Sequence, residues 1–179
     1  MSDSGFEQFV TDVLPRLHRV ALATCRDARR AEDLVQATAE SLLRSWPRVR
    51  AADDRYAYAR RVLVNRLFDE QRRWWRRDRL VAVEEIDLFA ASGVGAADGM
   101  PGGPVDDWGP LEARLTILPA LHALPARQRA AVVLRHLEGM SVEEVAAAMG
   151  CSTGNVKRLT HDGLAAMRSA LAELEGEAL

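Results

Sequence analysis

The chain is poor in residues that cross-link, chelate or span. Its 179 residues include two cysteines, Cys25 and Cys151, far apart in sequence. Two such cysteines build no disulfide framework, so a reducing cytoplasm is the expected setting. There is no run of about 18 apolar residues, so no membrane-spanning helix is expected. The first residues lack the basic-then-apolar order of a secretion signal. Four scattered histidines, His18, His122, His136 and His161, lack metal-ligand spacing, and neither a metal nor any other cofactor is expected. No glycine-rich phosphate loop follows a strand pattern, and no Ser, Cys or carboxylate cluster reads as catalytic. Lysine is almost missing: Lys157 is the single one, and all other basic residues are arginine.

The charge present is unevenly placed. Residues 1–80 hold 17 arginines against 12 acids. Residues 81–110 hold six acids and no basic residue, and residues 111–179 hold seven basic residues and eight acids. A basic first segment is the electrostatic footprint of a polyanionic partner. The acidic stretch also carries six glycines and three prolines without sustained period. It reads as a flexible acidic linker, with Ile86, Leu88, Phe89 and Trp108 as local docking points.

The most ordered pattern lies between Leu124 and Leu171. Pro125 suits the first turn of a helix. A break follows at Glu138-Gly139. Ser141 and Glu144 form a capping box, so a helix starts after Ser141. Val145, Ala146 and Met149 share its inner face. Gly150 supplies a left-handed stop, and Ser152 can cap the next helix. There Val156 and Leu159 face inward while Asn155, Lys157 and Arg158 face out. The pattern is a helix-turn-helix whose second helix is placed to enter a major groove, with an ordinary αα-hairpin as the alternative.

Residues 1–80 read as helix. Phe6, Phe9, Val13, Leu17 and Val20 make one apolar stripe that stops at Thr24. Asp27 to Arg30 form a polar break. A second helix over 31–46 turns Leu34, Val35, Thr38 and Leu42 inward and is expected to end at Pro47. Arg48 to Asp54 read as a polar loop. A long helix follows from Arg55 to about Arg79, with Ala59, Val62, Leu63 and Leu67 at core spacing. Its end, Arg72-Arg73-Trp74-Trp75-Arg76-Arg77, sets two adjacent tryptophans among four arginines. Either one Trp is core and the other is covered by Arg stems, or the stretch meets DNA phosphates and bases. Asn65 and Asp69 share a face, and Asn65 can read a base edge or make a buried helix-to-helix hydrogen bond.

Three blocks stand out. One is Ala31-Glu32-Asp33-Leu34-Val35-Gln36. Another runs from Tyr58 through Asn65 to Asp69 and ends in Arg72-Arg73. The last comprises Leu124-Pro125, Gln128-Arg129, Leu134-Arg135, Gly139, Ser141, Glu144-Val145-Ala146 and Val156-Lys157. In this order they resemble the extracytoplasmic-function class of bacterial RNA polymerase sigma factors, over nearly the whole chain. The resemblance implies an all-α fold of two small domains: a σ2-type bundle over 1–80 and a σ4-type helix-turn-helix domain over 111–179. The linker over 81–110 would then thread the path of nascent RNA. The chain would be no enzyme itself but would lend promoter specificity to core RNA polymerase.

Site residues follow from the same resemblance. Asp33, Leu34 and Gln36 would bind core polymerase, although Asp33 could instead favour its helix dipole. Arg48, Arg50 and Arg55 would hold phosphates or a flipped base of the −10 element. Asn65, Asp69, Arg72, Arg73, Trp74 and Arg76 would contact the same element. Arg129, Thr153, Asn155, Lys157, Arg158 and His161 would contact the −35 element. Ala37 stands where the family often has Glu, and Leu159 and Asp162 stand where many members carry Arg. An anti-sigma partner clamping these surfaces is compatible with the resemblance. The rival function is an autonomous helix-turn-helix regulator binding duplex DNA as a dimer, and a second is an adaptor holding protein partners through both domains.

Overall fold

The computed structural model describes the backbone of residues 4–78 and 111–177 and side chains within 5–69 and 116–172. The expected linker over 81–110 lies outside the described residues. Helix α1, Ser4–Thr24, buries Phe9, Val13, Leu17 and Val20 along one stripe. The Thr24 hydroxyl donates to the Val20 carbonyl at 2.8 Å, satisfying it inside the core. Asp27 then caps α2, Ala28–Arg44, by accepting from the Arg29 N–H at 3.0 Å. The inner face of α2 is Ala31, Leu34, Val35, Thr38 and Leu42.

Pro47 does not end the second helix. Helix α2 stops at Arg44, and Pro47 sits in the first turn of a short helix α3, Trp46–Arg50. A first-turn residue needs no N–H partner, so proline starts a helix as readily as it ends one. Arg48 and Arg50 therefore lie on a helix and not in a loop. Trp46 anchors α3 by packing its ring against Phe6 at 5.3 Å, edge-on, and Phe9 at 5.4 Å.

Helix α4, Arg55–Asp78, carries two buried rows. Ala59, Leu63 and Leu67 pack with α1, α2 and α3. Val64 and Phe68, one step round the helix, pack elsewhere: they join Ala130, Ala131, Leu134, Met140 and Val145. The second segment opens with α5, Leu111–Ala123, which no sequence signal announced. Helix α6, Ala126–Val132, continues as a π-helical turn over Val133–Leu137.

The helix-turn-helix is as expected. Helix α7, Val142–Met149, begins with the reciprocal Ser141–Glu144 capping box and ends at Gly150 in the left-handed region, φ 63°. Helix α8 runs over Thr153–Glu177, and the Ser152 hydroxyl accepts from the Asn155 N–H at 3.2 Å. Val156 and Leu159 are buried. Gly163 lets α8 cross α6 closely, since a Cβ there would stand 2.7 Å from the Val132 methyl.

The two apolar clusters each draw on both ends of the chain. Leu121, Leu124, Val132 and Val133 join the cluster built on α1 to α4, as Val64 and Phe68 join the helix-turn-helix. Among the described residues, no helix is long and apolar enough to cross a membrane.

Candidate nucleic-acid and polymerase interface

The outer face of α2 presents Asp33 and Gln36, both exposed. Leu34 does not belong with them. It is 1 % exposed, because the inward stripe of α2 passes through it, and its part is to hold the helix in place. Asp33 lies in the second turn of α2, beyond the reach of the helix-end dipole, and Asp27 already caps that end. Glu40 and Leu43 continue the exposed strip at helical spacing, and Leu43 is 56 % exposed. Sequence reasoning missed Leu43, although its place beside the inward Leu42 puts it about 100° off the core stripe.

A second surface is formed by α3 and α4. Arg48 and Arg50 are exposed, while Val49 between them is buried and fixes the orientation of α3. Arg55 is exposed at the start of α4. Arg61, Asn65 and Asp69 are exposed and four residues apart, so they share one row. Exposure of Asn65 removes the buried helix-to-helix hydrogen bond as its explanation. Its row borders a cleft of about 530 Å³ between α4 and α7, lined in part by Tyr58, Arg61, Asn65, Met140 and Glu144. The bond from the Ser141 backbone N–H, at 2.7 Å, holds the Glu144 carboxyl below the usual range, so this side chain stays anionic. Arg72, Arg73, Trp74 and Arg76 continue α4, but their side chains lie outside the described residues.

A third surface is the start of α8. Thr153, Lys157 and His161 are exposed along one row, with exposed Arg158 and half-buried Asn155 beside it. Arg158 donates to the Asn155 side-chain oxygen at 3.1 Å and pairs with Asp162 at 3.8 Å. Such exposed pairs are weak, but they orient the guanidinium along the helix.

Arg129 departs from the expectation of −35 contact. Its relative exposure is 0 %. Its Nε donates to the Thr24 carbonyl at 2.9 Å and one terminal nitrogen donates to the Leu124 carbonyl at 2.8 Å. A buried guanidinium must be hydrogen-bonded, and here it is spent on backbone within the protein. Nearby, His122 donates from Nε2 to the Leu22 carbonyl at 2.8 Å, since a carbonyl can only accept. Burial pushes the His122 pKa down, and the Arg129 and Arg26 guanidiniums push it further, against the opposing Leu22 bond.

Glu138 forms a matching centre on the other side. Its carboxylate accepts from the Tyr56 hydroxyl at 2.7 Å, and its carbonyl accepts from Arg60 at 2.9 Å. The Arg16 guanidinium lies 3.6 Å over the Tyr56 ring. Burial, then the bond to Glu138, raises the Tyr56 pKa far above an ordinary phenol. None of Tyr56, Arg60, His122 and Glu138 gave a sequence signal, because only the fold brings them together.

Residues 9–77 match the family described as Sigma-70 region 2, and residues 114–167 match Sigma-70, region 4. The RNA polymerase sigma-E factor of Streptomyces coelicolor is 35 % identical over 180 residues, spanning 97 % of this chain and 91 % of that protein. The RNA polymerase sigma factor CarQ of Myxococcus xanthus is 30 % identical, spanning 98 % of this chain and 94 % of its own. The ECF RNA polymerase sigma factor ShbA of Streptomyces griseus is 31 % identical, spanning 94 % and 90 %. Among solved structures, the sigma factor RpoE in complex with the anti-sigma factor NepR from Bartonella quintana is 24 % identical over 94 % of this chain and 97 % of that one, with a TM-score of 0.62. That last likeness is one of fold. Matches to both regions, in order, and relatives aligned along almost the full chain identify it as a member of the extracytoplasmic-function class of sigma-70 RNA polymerase sigma factors.

Proposed function

We propose that the chain is an alternative sigma factor acting in the cytoplasm with three separate contact surfaces. Residues 1–80 bind core polymerase through Asp33 and Gln36 of α2, and engage the −10 element through Arg48, Arg50, Arg55 and the Asn65–Asp69 row of α4. Residues 111–179 engage the −35 element through Thr153, Asn155, Lys157, Arg158 and His161. Residues 81–110 tether the two. Arginine suits the phosphate contacts because its planar fork binds oxygen pairs. Asn65 suits base readout because it has both donor and acceptor. The chain supplies specificity, and the polymerase supplies chemistry.

The observation that carries this reading is the pair of matches, Sigma-70 region 2 over 9–77 and Sigma-70, region 4 over 114–167, and within the first Asn65 stands exposed on α4. An asparagine used for core packing would be buried and paired. The autonomous-regulator reading gives the region-2 match over 9–77 no task and is not favoured. Titration of the chain against core polymerase tests the proposal: saturation at one chain per core supports it, and duplex binding with no affinity for core contradicts it. The anti-sigma partner named with RpoE belongs to that protein; we infer that a partner of the same kind, were it to clamp the α2 strip here, would compete with core.

A further inference from the structure

Where α2 packs on α4, two guanidiniums meet on one hydroxyl. Arg66 of α4 and Arg44 of α2 both donate to the Ser41 Oγ, the latter at 3.3 Å. Arg66 lies two residues from both Val64 and Phe68, so about 200° round α4 from the side that meets the helix-turn-helix. Ser41 is fixed by its carbonyl, which accepts from the Ser45 N–H at 3.0 Å and the Ser45 hydroxyl at 2.8 Å. Ser41 and Arg66 are half-buried, and Arg44 is exposed. Among the described residues, neither guanidinium is paired with a carboxylate. A tie between α2 and α4 needs only the Arg66 bond. Arg44 starts on the same helix as Ser41, so its bond joins no second element and adds a like charge. Two cations sharing one neutral oxygen repel each other until an anion joins them. The Ser41 hydroxyl accepts both bonds and so still has its own proton to donate.

We propose that Arg44, Ser41 and Arg66 form an oxyanion site that holds one phosphate of the opened −10 strand. The inference rests on the promoter-reading assignment of α4. Phosphate suits the trio, because guanidiniums bind its oxygens in pairs and the hydroxyl adds a neutral donor. Position favours a strand backbone as the source. Arg66 directly follows Asn65, about 100° round α4, so it flanks the Asn65 row on the side of α2. Exposed Arg48 and Arg50 of α3 come next after Arg44 along the chain. The cations therefore continue from the row onto α3, as a track for a polyanion requires. Exposed Asp33 and Glu40 instead suit the rest of the α2 strip to a cationic partner. Phosphate contacts set register, and base contacts specify. Arg44 and Arg66 are thus positioning residues: they determine which base of the strand stands at Asn65.

Methylphosphonate interference in the complete complex tests this. The full chain is assembled with core polymerase on a pre-opened promoter bubble, recovered from randomised templates that the chain transcribes. A neutral methylphosphonate replaces one phosphate of the non-template −10 strand at a time. One position should lower affinity by about tenfold in the natural chain, the loss of a charge-assisted contact. Arg44→Gln and Arg66→Gln should each weaken binding of unmodified DNA, lower its salt slope by about one, and make that position insensitive. Glutamine keeps a donor for Ser41, so α2 and α4 stay tied. Arg66→Lys keeps the charge and should retain part of the sensitivity. A lower melting temperature with the natural interference pattern marks a structural tie and overturns the site. Weaker binding of core without DNA, with that pattern intact, assigns the guanidiniums to a polymerase carboxylate and overturns it too. Saturable binding of inorganic phosphate by the free chain, lost in Arg66→Gln, with no sensitive strand position, makes the ligand a free anion and overturns the strand as its source. No sensitive position while Asn65→Ala still slows opening overturns the site alone. No sensitive position together with normal opening in Asn65→Ala overturns the assignment of α4.

Discussion

The Arg129 guanidinium donates from Nε to the Thr24 carbonyl at 2.9 Å, between residues 105 positions apart. A residue expected on DNA is thereby a structural joint. Arg129→Ala should lower unfolding free energy by about 1–3 kcal/mol, the cost of leaving buried groups unpaired. Chemical denaturation measures this. Promoter preference, scored over a set of −35 variants, should keep its pattern. A changed pattern with undiminished stability would return Arg129 to the DNA surface.

His122 gives the fold a pH dependence. Its folded pKa is lowered from the ordinary 6.5, so the unfolded chain binds more protons than the folded one just below that value. The contribution of neutral His122 is complete above pH 6.5 and declines as pH falls through the folded value. Thermal melting between pH 7.5 and 5 should show a smaller fall for His122→Gln than for the natural chain. Equal falls would remove His122 as the cause.

Much of the second segment was legible because local chemistry settles it. Ser141 and Glu144 cap each other, Gly150 takes the left-handed turn, and Val156 and Leu159 repeat at helical spacing. None of these needs a distant partner. The contacts between the two segments were illegible for the opposite reason. Arg129 and Glu138 look like surface charges until residues about 100 and 80 positions away close on them. Helix α5 escaped notice because its apolar residues surround it without one stripe and Pro119 lies inside it. Pro47 misled because proline fits both ends of helices. At the site, burial separated Leu34 from Asp33 and Gln36, which residue type alone could not do.

Asp33→Arg should weaken core binding by about tenfold, the loss of one charge-assisted hydrogen bond. Helical content should not change, because Asp33 is exposed and Asp27 caps α2. Unchanged affinity in a titration with core would remove Asp33 from the interface.

Lys157→Ala with Arg158→Ala should reduce initiation at −35-dependent promoters by well over tenfold if either side chain reads a base, at about 1–3 kcal/mol per contact. A uniform loss across all sequences with a shallower salt dependence would mark both as phosphate contacts. Promoter-variant transcription at several salt concentrations distinguishes the two.

Asn65→Ala should leave closed-complex formation nearly intact and slow strand opening, since a lost polar contact costs about 1–3 kcal/mol. A pre-melted bubble should rescue the opening defect. Permanganate footprinting on intact and pre-melted promoters reports both steps. Opening of the intact promoter at the normal rate would remove Asn65 from strand recognition.

Transcription in vitro with purified core polymerase and a randomised promoter library tests the central claim most directly. The chain should convert core into an enzyme that starts at discrete sites, and the recovered templates should share one −10 motif and one −35 motif at fixed spacing. Initiation no different from that of core alone, with the chain present in excess, would contradict the account.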